Sequence, residues 1–146
     1  MKRVIDVRAI PRSRHNPQYD RRNLALSLRR AGIHYRHFSG LGGRRRSKKG
    51  SINTGWANSG FRGYADYMQT AAFERSLERC VALAREEPAA LICAEAVPWR
   101  CHRSLIADAL LVRGIDAREI SSGVRAMPHR LTPFARVHDT TITYPV

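Results

Sequence analysis

Apolar residues recur along this chain in two rhythms, one of period two and one near 3.6, and they alternate. Val4-Ile5-Asp6-Val7 is a short β-branched run, closed by Pro11, with the pattern of a buried strand. A basic loop follows, with Arg8, Arg12, Arg14, His15 and Asn16 broken by Pro11 and Pro17. Leu24, Leu28 and Ala31 return at helical spacing; Asp20 stands where an N-cap belongs, and Gly32 where the helix should stop. Ile33, Tyr35 and His37 alternate with polar neighbours, as a strand does. Residues 39–61, rich in Gly, Ser, Asn and Arg, keep no period and read as a long loop, of a length that is usually functional or mobile.

Tyr64, Tyr67 and Met68 suggest a short helix. Thr70 then caps a stronger one, in which Phe73, Leu77, Cys80, Val81 and Ala84 share a face, so Cys80 belongs to the core. Ala89 to Ala94 is an apolar run expected to be a buried strand, and Glu95 to Arg100 is a loop around Pro98. Leu105, Ile106, Ala109 and Leu110 place a helix between Arg103 and Arg113, stopped by Gly114, and Ile115 to Ile120 makes a further strand. Residues 121–136 read as loop, and Thr140 to Tyr144 as an edge strand. Strands alternating with helices predict an α/β fold: one domain over residues 1–146, with a small, mostly parallel sheet flanked by helices. No internal repeat and no linker divides it.

Composition changes this picture little. A chain of 146 residues with 43% apolar content fits one folded domain. No apolar run approaches the ~20 residues that span a bilayer, and the charged start Met1-Lys2-Arg3 is unlike a signal peptide. Three cysteines, an odd number, suit reduced thiols and a cytoplasmic location, with no membrane contact.

Charge changes it more. Of the formal +14, nearly all sits in residues 1–50, which hold fifteen Lys and Arg against Asp6 and Asp20 alone; the remaining residues hold eleven against ten. So lopsided a field attracts nucleic acid and phosphorylated ligands. A GC-rich genome would favour Arg over Lys, but it would not remove the carboxylates from one third of the chain.

Three constellations could carry chemistry. The sharpest runs from Cys93 through Glu95, Pro98 and Arg100 to Cys101, His102 and Arg103, from a strand end into a helix start. Ligands collect at the carboxyl ends of strands in open α/β sheets, and a helix N-terminus favours anions and thiolates. Cys101 or Cys93 could act as nucleophile with His102 as acid/base and Glu95 as orienter; the two thiols could form a redox pair; or Cys, His and Glu could bind a metal. The spacing fits no zinc motif, so neither a metal nor a cofactor is expected. The plain alternative makes both cysteines core fillers and the arginines local ion pairs.

The second constellation, Asp6, Arg8, Arg12, Arg14 and Asn16, also follows a strand. If the two strands are parallel neighbours, both loops share one rim, where Arg8, Arg12, Arg14 and Arg103 would hold an oxyanion. Asp6 paired simply with Arg8 is the competing reading. The third, Arg44, Arg45, Arg46, Lys48 and Lys49 with Trp56, Phe61 and Tyr64 after them, has the basic and aromatic character that single-stranded nucleic acid uses. It is no Walker loop, and no known DNA- or RNA-binding motif is present.

These residues carry a resemblance. Val4 to Arg8, Pro11 to Tyr19, Leu41 to Arg44, Gly60 to Met68, Cys93 to Glu95, Cys101 to Arg103 and Pro128 to Pro133 resemble the family named domain of unknown function 488. The resemblance implies an intracellular α/β domain and adds weight to Asp6, Arg8, Cys93, Glu95, Cys101, His102 and Arg103. Its members usually open with a further strand ending in Gly-His-Ser and a helix; this chain shows neither, so the resemblance implies a sheet lacking its first strand-helix unit. The expected function is binding of an anionic ligand at the two loops, with or without thiol catalysis. The alternative is a non-enzymatic nucleic-acid-binding module built on the basic first third.

Overall fold

A computed structural model describes residues 1–95, 100–121 and 125–146. Among the described residues the elements are, in order, β1 (Arg3–Asp6), α1 (Arg21–Arg30), β2 (His34–His37), α2 (Ser59–Met68), α3 (Ala71–Glu86), β3 (Ala89–Ile92), α4 (Arg103–Leu111), β4 (Arg118–Ile120), β5 (Ala126–Pro128), β6 (Arg136–His138) and β7 (Thr141–Thr143). They group into two compact units: Met1–Gly42 with Ala72–Ala94, and Gly43–Ala71 with Glu95–Val146.

The first unit is the α/β sheet that the strand-helix alternation predicts. Its strand order is β2-β1-β3, all parallel, with Asp6 opposite His37 on one side and Ile92 on the other. The β-branched run of β1 is central, and Val4, Ile5 and Val7 are buried. β3 was expected to be buried but is half-buried throughout, because it lies at a sheet edge with a partner on one side only. α1 connects β1 to β2 and ends where Gly32 takes a φ of +75°, a left-handed turn that glycine adopts without strain. Asp20 occupies the N-cap position but does not cap: its carboxylate accepts the Ser13 N–H at 2.6 Å instead, fastening the preceding loop. α3 buries Phe73, Leu77, Cys80 and Val81 as its periodicity predicts, whereas Ala84, one turn from the end, is exposed. Burial pushes the Cys80 thiol up to about 11, which makes it a core residue rather than a nucleophile.

The second unit holds α2, α4 and two small two-stranded antiparallel sheets. The strand expected at Ile115–Ile120 is only Arg118–Ile120, and it does not join the parallel sheet. It pairs antiparallel with Ala126–Pro128, inside the stretch read as loop. Three residues with mostly exposed side chains leave too weak an alternation to announce a strand. Thr141–Thr143 is a strand as expected, and its partner Arg136–His138 makes it a hairpin. The turn expected around Pro98 lies outside the described residues. Among the described residues, no helix is long and apolar enough to cross a membrane.

Candidate functional site

In the first unit, β1 and β3 run parallel and end side by side, so Arg8 and Cys93 leave the sheet at the same carboxyl edge, where the Val7 N–H donates to the Ile92 carbonyl at 3.0 Å. Asp6 is fully buried there. Its carboxylate accepts from Arg8 Nε at 2.9 Å and Nη2 at 2.8 Å, from the Arg8 main-chain N–H at 3.1 Å, and from the Tyr35 hydroxyl at 2.5 Å. Burial alone would raise the Asp6 pKa, but these bonds and the guanidinium charge outweigh it and hold the carboxyl below its ordinary range. The same Asp6 contact raises the Arg8 pKa, while burial and the Asp6 charge push Tyr35 well up. This triad closes the strand end. Arg8 is 6% exposed and gives Nε and Nη2 to Asp6, so its main work is internal.

Beyond that edge the chain turns through Ala9–Arg12 and returns into α1. Between them lies an open cleft of about 730 Å³ whose lining includes Pro11, Arg12, Arg21, Arg22 and Tyr35. Arg12, Arg21 and Arg22 are exposed, and among the described residues none has a carboxylate within ion-pair distance. Arg12, an expected anion-binding residue, lines this cleft together with Arg21, Arg22 and the Asp20 carboxylate. Arg14 is exposed and outside the lining.

In the second unit, Cys101 is 4% exposed and directly precedes α4. Its sulfur accepts from Arg103 Nε at 3.3 Å and from the Arg103 main-chain N–H at 3.5 Å, and His102 Nδ1 lies 3.6 Å away. A guanidinium and a helix-start N–H aimed at one sulfur stabilise negative charge on it. The other arm of Arg103 donates to the main-chain oxygen of Glu95. The His102 ring packs on Tyr64, centroids 4.9 Å apart, so Tyr64 is a wall of this site and not a base-stacking platform.

The basic segment of this unit is pinned rather than loose. Asp66, buried on α2, accepts from the Lys48 main-chain N–H at 2.8 Å, Ser51 Oγ at 2.5 Å and Asn53 Nδ2 at 2.7 Å. Burial would raise its pKa, but these donors together lower it. The Arg45 guanidinium sits 3.7 Å over the Tyr67 ring. A Cβ at Gly63 would come within 2.0 Å of the Arg45 carbonyl oxygen, so glycine is what lets the loop lie directly on α2. Arg44, Arg46, Lys48 and Lys49 remain exposed. Trp56 and Phe61 are half-buried, and Trp56 packs edge-on with Phe61 and with the exposed Phe134.

Sequence reasoning missed a buried polar cluster. Asp108 accepts from His129 Nε2 at 2.7 Å, Thr132 Oγ1 at 2.7 Å, the Thr132 main-chain N–H at 3.1 Å and the Tyr144 hydroxyl at 2.8 Å, and His129 Nδ1 reaches Glu119 at 2.7 Å. A signal was there: Asp108 falls on the Leu105–Ile106–Ala109 face, where an acid must find partners or stay out.

No curated protein and no solved structure matches this sequence. The family model described as "Domain of unknown function DUF488" matches residues 1–110, a span that includes the β1 edge, the arginine cleft, the basic loop and the Cys101 segment but stops short of the Pro128–Pro133 likeness. A match over three quarters of the length, through each of these motifs, places the chain in the DUF488 family.

Proposed function

We propose that the protein binds a phosphorylated or otherwise anionic ligand in the cleft beyond the carboxyl end of β1. The observation that carries this is the convergence of three exposed guanidiniums, Arg12, Arg21 and Arg22, none of them paired with a carboxylate among the described residues, on one cleft of about 730 Å³. Its place supports the reading, because the turn from a parallel strand into a helix is where α/β sheets gather ligands. Arginine suits the role, since its planar fork meets phosphate oxygens in pairs. The Asp6–Arg8–Tyr35 triad supports the cleft from behind by fixing the strand end and the Tyr35 wall. Titration with pyrophosphate, followed by calorimetry at low salt, tests it. The expected result is 1:1 binding weakened at least tenfold by Arg12→Gln with Arg21→Gln. Equal affinity in the double variant and the parent overturns it.

The Arg103 contacts to the Cys101 sulfur favour a second reading, in which Cys101 serves as a thiolate nucleophile with His102 as its acid/base. Iodoacetamide at neutral pH then alkylates Cys101 rapidly, and Arg103→Gln slows that reaction. An alkylation rate that Arg103→Gln leaves unchanged removes this chemistry.

A further inference from the structure

The arginine cleft does not end at Tyr35. Ala25 and Tyr35 also line a second cleft of about 360 Å³, whose other walls include Arg3, Arg29, His34 and Arg36. The two clefts therefore adjoin, one on each side of the same two residues, along the seam between α1 and β2. Arg22, Ala25 and Arg29 stand three and four residues apart, so they form one stripe of α1. The small Ala25 leaves room between two guanidiniums.

From this we infer that the α1–β2 face of the first unit is a track for single-stranded nucleic acid; the inference rests on the anion-binding reading of the Arg12 cleft and names its ligand class. Four features carry it. First, length: Arg22 and Arg29 are seven residues apart, about 10 Å of helix axis, so one phosphate group cannot reach both. A strand that carries a charged phosphate at every nucleotide can.

Second, excess charge: α1 has four arginines against one adjoining acid, Asp20, which lines the same cleft and accepts the Ser13 N–H, and two of the arginines, Arg21 and Arg22, occupy the first turn, where the helix dipole is already positive. A folded protein gains nothing from that crowding until an anion arrives. Third, availability: Arg3 and His34 at the far end are engaged by Glu86 and Glu87, at 3.0 Å for Arg3–Glu87 and 2.5 Å for His34–Glu87. Arg12, Arg21, Arg22, Arg29 and Arg36 have no such partner among the described residues, which gives the track five cations and a closed end. Fourth, shape: the clefts fall within the ~300–1,000 Å³ of small-ligand sites. They are open clefts walled by exposed arginines with Tyr35 between them, an arrangement that suits a flexible strand with a base against that ring.

Fluorescence anisotropy with labelled dT12 tests this. The parent binds dT12 more tightly than pyrophosphate or the matching duplex, with log K falling about 3 to 4 per decade of salt, ~0.7 for each phosphate contacted. Arg22→Gln with Arg29→Gln weakens dT12 at least tenfold and flattens the slope by about 1.4, two contacts' worth. Arg36→Gln on the facing wall weakens it too, and all variants melt like the parent. If the double variant binds dT12 as the parent does, the track is wrong. It is also wrong if the loss appears instead when Arg44, Arg46, Lys48 and Lys49 are neutralised, or if duplex or phosphatidylserine vesicles bind as tightly through Arg22 and Arg29. Pyrophosphate bound as tightly as dT12, and lost with Arg12→Gln and Arg21→Gln, leaves the cleft reading standing and overturns this one. Loss of both responses overturns both.

Discussion

Asp6 and His129 show how burial assigns work to ionisable side chains. Asp6 shares its carboxylate between Arg8 and Tyr35 with no access to water. Asp6→Asn leaves the Arg8 charge buried and unpaired, a change that costs about 3–5 kcal/mol, and chemical denaturation should show a midpoint shifted accordingly. Because its pKa is lowered by folding, the Asp6 contribution is present above the unfolded value near ~4 and fades as pH falls through the folded one.

His129 has the opposite sign. Its hydrogen bond to Asp108, then the one to Glu119 and both carboxylate charges, raise its pKa against the pull of burial. The cation's contribution is therefore complete below the unfolded value of ~6.5 and is lost as pH rises through the folded value. The stability gap between the parent and His129→Gln should thus be wide at pH 6 and narrower at pH 9; a gap independent of pH rejects the cationic clamp. Asp6 with Arg8 could be read in the sequence as neighbours on a strand end. His129 with Asp108 could not, since 21 residues separate them and only the folded chain joins them.

At the scale of elements, legibility followed local periodicity. α3 stands out because sixteen residues repeat one face, and β1 because its apolar run is continuous. β4 and β5 pair antiparallel and their three residues each are mostly exposed, so their identity comes from the partner strand and not from their own pattern. The basic loop belongs to the same class. Its lack of period suggested freedom, yet Asp66 and the Gly63 gap hold it down. Gly63→Ala, with its Cβ driven against the Arg45 carbonyl, should destabilise the second unit and expose Arg44–Lys49 to trypsin. Unchanged cleavage kinetics would show that the loop does not depend on this approach.

Across the molecule, charge is the dominant physical fact. Fifteen cationic residues against two acids in residues 1–50 make the folded state repel itself at low salt. Anions that bind only the folded chain should raise Tm by mass action, and a polyanion more than sodium chloride of equal ionic strength. A melting curve that responds to ionic strength alone would leave the excess charge as solvation. From the amino-acid order alone came the α/β class, the excess of positive charge, the Cys101–Arg103 motif and the family, because each is written in neighbouring residues. Folding alone decided that Tyr35 joins Asp6 and Arg8, that Arg21 and Arg22 face the same cleft as Arg12, and that Asp108 gathers His129, Thr132 and Tyr144. Which charges cancel and which stay open depends on distances across the chain, and those exist only once the strands have paired.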